Sequence, residues 1–117
     1  MNDLESFGLF FEDFAVRDLY VYMNALGGEV RHYRDATGLE CDAVVHLPNG
    51  HWGAVEIKLG GDKLVNEGAQ SLLTLRNKIV EKSDEKAPAF LLVLTAVGGA
   101  YRREDGVYVA PVNLLKP

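Results

Sequence analysis

Residues 40–58 read Glu40-Cys-Asp-Ala-Val-Val-His-Leu-Pro-Asn-Gly-His-Trp-Gly-Ala-Val-Glu-Ile-Lys58. Two runs of strand-like composition flank Pro48-Asn-Gly50, and an Asn-Gly pair between such runs is a strong hairpin signal, because both residues tolerate the positive φ of a tight turn. The pattern predicts strands over 39–47 and 52–59. Side chains two apart in a strand share a face, so Glu40 is expected beside Asp42 and Glu56 beside Lys58. Antiparallel pairing would then bring Asp42 and Glu56 together with Lys58 next to them. The setting is apolar, since Ala43-Val44-Val45 follows Asp42 and Gly53-Ala54-Val55 precedes Glu56.

Outward from this hairpin, residues 29–33 form a third strand-like run, separated from it by the turn Asp35-Ala-Thr-Gly38, and the three runs read as an antiparallel meander. Before them, Phe10, Phe11, Phe14, Leu19, Val21, Tyr22 and Leu26 recur at helical spacing over 9–26, and Gly27-Gly28 supplies a stop. After them, a second helix is predicted over 63–80 with Leu64, Leu72, Leu75 and Ile79 inward, then a polar loop over 81–87. Residues 89–97 are apolar without alternation, as in a strand covered on both faces. Asp105-Gly106 joins two further strands, 100–103 and 107–112. The expected fold is α/β: a mixed sheet, built from the meander plus further strands, flanked by two helices.

With 117 residues, 48% of them hydrophobic, the chain suits one domain spanning 1–117. A formal charge of −5 argues against a surface that coats nucleic acid by bulk electrostatics. The lone Cys41 forms no internal disulfide and points to a reducing compartment. No basic leader precedes an apolar run, and the longest apolar stretch, 87–97, is too short for a membrane span. A cytoplasmic protein without membrane partners is expected.

The chemistry concentrates in Asp42, Glu56 and Lys58. Adjacent carboxylates repel and a half-buried lysine prefers water, but Mg²⁺ or Mn²⁺ would relieve both problems, activate water and neutralise charge on a phosphate. On spacing alone, the solvated face of an ordinary strand is an equally open reading. Glu12 on the first helix and Gln70 on the second could reach the same patch or lie in solvent. His32, His46 and His51 lack ligand spacing and receive no role. Cys41 should face away from Asp42 as a small buried residue. No nucleophilic triad and no phosphate-cradling loop is present in the sequence.

Glu12, Asp42 and Glu56-Ile-Lys58, in the order helix, meander, helix, resemble the PD-(D/E)XK nuclease superfamily over nearly the whole chain. The resemblance implies a restriction-endonuclease-like core. It also implies that Asp42 and Glu56 bind metal, the Ile57 carbonyl adds a ligand, Lys58 activates water and Glu12 is an extra metal or water ligand. Gln70 and Glu40 would support them. The segments Phe7-Gly-Leu-Phe-Phe-Glu12, Tyr33-Arg-Asp-Ala-Thr-Gly-Leu-Glu-Cys-Asp42, Val55-Glu-Ile-Lys-Leu-Gly60 and Tyr101-Arg-Arg-Glu-Asp-Gly-Val-Tyr108 are similar to the C-terminal domain of prokaryotic AAA+ family ATPases. That narrower resemblance implies an excised or free-standing C-terminal module, with the N-terminal P-loop ATPase domain as its partner, because this chain carries no ATP-binding motif of its own. The residue before Asp42 is Cys41 rather than proline, and no basic stripe marks a DNA track. Two functions are therefore expected: metal-dependent cleavage of nucleic acid, or non-catalytic binding of a protein or nucleic acid on behalf of the ATPase.

Overall fold

The protein is described by a computed structural model covering residues 3–82 and 87–114. The order is α1 (Asp3–Ala25), β1 (Glu29–Arg34), β2 (Glu40–His46), β3 (Trp52–Lys58), α2 (Asp62–Lys82), β4 (Phe90–Thr95), β5 (Tyr101–Arg102), β6 (Tyr108–Pro111) and a final 3-10 turn, Val112–Leu114. One mixed six-stranded sheet runs β1-β2-β3-β4-β6-β5. The expected meander is there, with β2 antiparallel to both β1 and β3. The α2 crossover then sets β4 parallel to β3, and β6 is parallel to β4. The α/β architecture expected from the sequence is the one observed.

Local chemistry explains the element ends. Gly27 N–H donates to Asn24 O at 3.1 Å and Gly28 N–H to Met23 O at 2.8 Å, which closes α1 as a Schellman motif with Gly27 at a φ of 81°. The β2–β3 turn is closed by Leu47 N–H to His51 O at 2.8 Å, with Gly50 at a φ of 85°. At the β1–β2 turn, Asp35 accepts from Thr37 N–H at 2.9 Å and Leu39 N–H at 3.1 Å. Lys78 of α2 pairs with Asp35 at 2.8 Å and bonds the Thr37 hydroxyl, tethering this turn to the helix.

The sheet is packed on both faces. On one, Val65, Ala69, Leu72 and Leu75 of α2 meet Cys41, Val44, Trp52, Ala54, Leu91 and Val93. On the other, Phe11, Ala15, Leu19 and Met23 of α1 meet Ala43, Val45, Val55, Ile57 and Leu94. The inner stripe of α1 therefore differs from the expected one: Phe14, Val21 and Leu26 are exposed, and small Ala15 takes a place against the sheet. The side chain of Phe10 lies outside the described residues. The second helix extends to Lys82, past the expected end, and residues 83–86 of the expected loop lie outside the described set.

Leu72 is fully buried between α2 and the sheet. Leu72→Ala is expected to lower unfolding free energy by about 2–5 kcal/mol in urea denaturation, from lost transfer energy and a residual cavity.

Candidate functional site

The site begins with a register change in β2. Arg31 pairs with Val44, yet Tyr33 pairs with Cys41, so β2 spends three steps where β1 spends two. This is a β-bulge, which places an extra residue in one strand and re-aims its side chains. Cys41 and Val44 both pack toward α2 in consequence, although strict alternation would send them to opposite faces. Glu40 lies beyond the bulge, paired with Arg34 of β1. It is exposed and pairs with Arg34 at 3.2 Å, on the side of β2 away from α2, because Cys41 between Glu40 and Asp42 packs toward α2.

The β2–β3 ladder runs from His46↔Trp52 to Ala43↔Val55 and goes no further. One more step would oppose Asp42 and Glu56, and two would oppose Cys41 and Ile57. Instead, the Asp42 carboxylate takes the ladder's place, its Oδ2 accepting the Ile57 N–H at 2.7 Å. A short bond to an ionised acceptor is among the stronger kinds, and it satisfies an amide that the strand separation would otherwise strand. The N–H and C=O of one strand residue point the same way, so the Ile57 carbonyl also faces this opening.

Glu56 hydrogen-bonds the Asp42 carboxyl and is only 7% exposed. Burial first, and then the neighbouring Asp42, push its carboxyl up to about 9, while Lys58 pulls in the opposite sense. Glu12 of α1 also hydrogen-bonds Asp42, and its carboxyl is raised by burial and by the Asp42 charge. Asp42 thus links Glu12 on the α1 side to Glu56 on β3. The Lys58 stem lies over Gly68 of α2, where an added Cβ would sit 3.3 Å from Lys58 Cγ and 3.2 Å from Val93 Cγ2. A glycine inside a helix costs about 0.5–1 kcal/mol relative to alanine, and here it admits the lysine stem against the helix. No local pattern in the sequence marks Gly68 for this role.

Among the described residues, no three His, Cys, Asp or Glu side chains converge closely enough to enclose a metal ion. The groups that border the opening directly are Asp42, Glu56 and the Ile57 carbonyl, with Glu12 as a partner of Asp42. All are hard oxygen donors, and their crowded negative charge is of the kind a divalent cation relieves; Mg²⁺ commonly uses one or two carboxylates and keeps several waters. Gln70 is exposed on α2. Cys41 is buried with its thiol pushed up to about 12 by burial, and its Sγ lies 3.4 Å from the carbonyls of Ala43 and Val55, so it is an inert core residue as expected. His46 and His51 are exposed, whereas His32 lines a cleft of about 530 Å³ that also contains Glu12, Arg17, Tyr20 and Asp42.

Residues 7–115 match the family described as Domain of unknown function (DUF4143). The chain belongs to that family. No curated protein and no solved structure matches it. Within this DUF4143 domain, no described helix is long and apolar enough to cross a membrane.

The raised carboxyl of Glu56 sets a pH dependence. Protonation favours the folded form, so its contribution is fully present below the unfolded value near 4.5 and is lost as pH rises through about 9. Asp35 is held below the usual carboxylate range by Lys78 and Thr37, so its contribution is lost only in acid, outside this window. Glu56→Gln keeps a donor for Asp42 without the charge. In metal-free urea melts it is expected to exceed the wild type by roughly 2 kcal/mol or more at pH 8, with the difference vanishing below about pH 4.

Proposed function

We propose that this domain is a metal-dependent nuclease of the PD-(D/E)XK type, acting as the C-terminal module of an AAA+ family ATPase. The observation that supports it best is the broken β2–β3 ladder, where Asp42 binds the Ile57 amide, contacts the buried Glu56 and has Lys58 beside it. A strand pair built for stability alone would continue its ladder and place apolar side chains at such buried positions.

In this reading Asp42, Glu56 and the Ile57 carbonyl would hold Mg²⁺ or Mn²⁺. The ion would supply charge neutralisation at the phosphate and a more acidic water. Lys58 then orients the attacking water toward the scissile phosphodiester, and its stem is held in place by α2 at Gly68. Glu12 fixes the orientation of the Asp42 carboxylate through their hydrogen bond. Asp42 in turn stays aligned through the Ile57 amide, so the acid nearest the substrate has little freedom to swing.

The net charge of −5 favours a second reading, in which the domain serves the ATPase as a non-catalytic module for binding a protein or nucleic acid. The two part company on a single pair of measurements. For the nuclease, calorimetric titration detects Mg²⁺ or Mn²⁺ binding that Asp42→Ala and Glu56→Ala abolish, and metal-dependent cleavage of nucleic acid falls at least ~100-fold in Lys58→Ala. Cleavage unchanged in Lys58→Ala, or no metal binding by the wild type, overturns the nuclease assignment and leaves the binding module.

A further inference from the structure

Arg17 stands apart among the arginines of this chain. The sequence has six, and five are engaged: Arg31 with Glu29, Arg34 with Glu40, Arg76 with Asn77, Arg103 with Asp105 and Asn66, and Arg102 over the ring of Tyr108. Arg17 is exposed and makes no ion pair or hydrogen bond with any described residue, although Asp13 lies one helical turn before it. It lines the cleft of about 530 Å³ between α1 and β1, together with His32 and with Tyr20, which is 55% exposed. The same lining includes Asp13 and the half-buried Asp42 and Glu12, the α1-side members of the carboxylate cluster.

An uncommitted guanidinium, an imidazole and an exposed aromatic ring around one opening match the parts of a nucleotide: phosphate oxygens for the guanidinium and imidazole N–H donors and a planar base for the ring. The volume lies in the range that takes a single small ligand rather than a broad surface. Duplex binding depends on many Lys and Arg contacts to phosphate, and most arginines here are occupied within a chain of net charge −5. Stacking on an aromatic side chain needs far less positive charge and accepts any base. From this, and resting on the nuclease reading above, we infer that the α1–β1 cleft receives an unpaired nucleotide of single-stranded nucleic acid, stacked on Tyr20 with its phosphate held by Arg17 and His32.

The placement gives direction to the strand. Tyr20 and Arg17 are exposed and Asp42 is half-buried in the same lining, so a nucleotide seated on Tyr20 and Arg17 has Asp42, and through it the opening between β2 and β3, within the same cleft. Tyr20 and Arg17 lie two turns and one turn along α1 from the Glu12 and Asp13 level, on the same wall. They are positioning residues in this scheme, since neither touches Asp42 or Glu56 through a hydrogen bond in the structure.

Fluorescence anisotropy with labelled single-stranded DNA, single-stranded RNA and duplex DNA of one sequence tests the inference, with Ca²⁺ replacing Mg²⁺ so that no cleavage intervenes. At least one single strand is expected to bind about tenfold more tightly than the duplex. Tyr20→Ala should weaken that binding roughly tenfold, Tyr20→Phe should restore it, and Arg17→Ala should weaken it while lowering the log–log salt slope by about 0.7. Both side chains are exposed, so all variants should melt with the wild type. Equal or tighter duplex binding, or single-strand binding indifferent to both Tyr20→Ala and Arg17→Ala, overturns the assignment of the cleft. Lys58-dependent cleavage with no effect of Tyr20→Ala retires the cleft and leaves the nuclease reading standing. Tyr20-dependent binding without metal-dependent cleavage does the reverse.

Discussion

The site depends on one hydrogen bond, from the Ile57 amide to the Asp42 carboxylate. In a continued antiparallel ladder the Ile57 amide would find a backbone carbonyl on β2. The bulge in β2 removes that partner, and a half-buried amide left without one would cost about 1–3 kcal/mol. Asp42 supplies an acceptor in its place. Its side chain thereby becomes a structural member of the sheet, held at the seam where strands β2 and β3 part. An opening with a fixed carboxylate, a free backbone carbonyl and a neighbouring acid follows from that exchange.

Around this seam the fold assembles groups that would repel one another in an unorganised chain. Glu56 is buried beside Asp42 and keeps its proton to an unusually high pH, while Glu12 approaches the same carboxyl from α1. Lys58 offsets part of this charge, and it reaches the seam because Gly68 leaves room for its stem. Strongly perturbed acids gathered at a gap in the sheet oppose stability, and such opposition is concentrated at functional sites. The remaining core is conventional: two apolar layers, each satisfied by one helix. The stability lost at the seam is carried by those layers.

Much of the architecture was legible in the chain because it is written in local chemistry. Asn49-Gly50 and Asp105-Gly106 mark turns that the structure contains, the Gly27-Gly28 pair ends α1, and the unbroken apolar run before Val97 became the central strand β4. The hairpin register carries the ladder as far as Ala43↔Val55, one step short of Asp42 and Glu56. The reading failed where alternation failed. A bulge has no dependable local signature, so strict alternation along 39–47 does not show that Cys41 and Val44 both face α2. Helical spacing was similarly ambiguous in α1, where Phe14 and Val21 fit an apolar stripe yet face solvent, because the width of the sheet selects Phe11, Ala15, Leu19 and Met23.

The sequence by itself determined the element order, the meander, and the identity of the acid and lysine side chains near its hairpin, since strand period and turn chemistry act over a few residues. Tertiary structure alone decided what those residues face. The bulge set the side of the sheet on which Cys41 lies, and α1 brought Glu12 against Asp42 from thirty positions earlier in the chain. It also decided that Gly68 would cradle Lys58 and that His32, Arg17 and Tyr20 would border one cleft. These are contacts between elements distant in sequence, fixed by helix packing and strand register, and no local pattern in the chain encodes them.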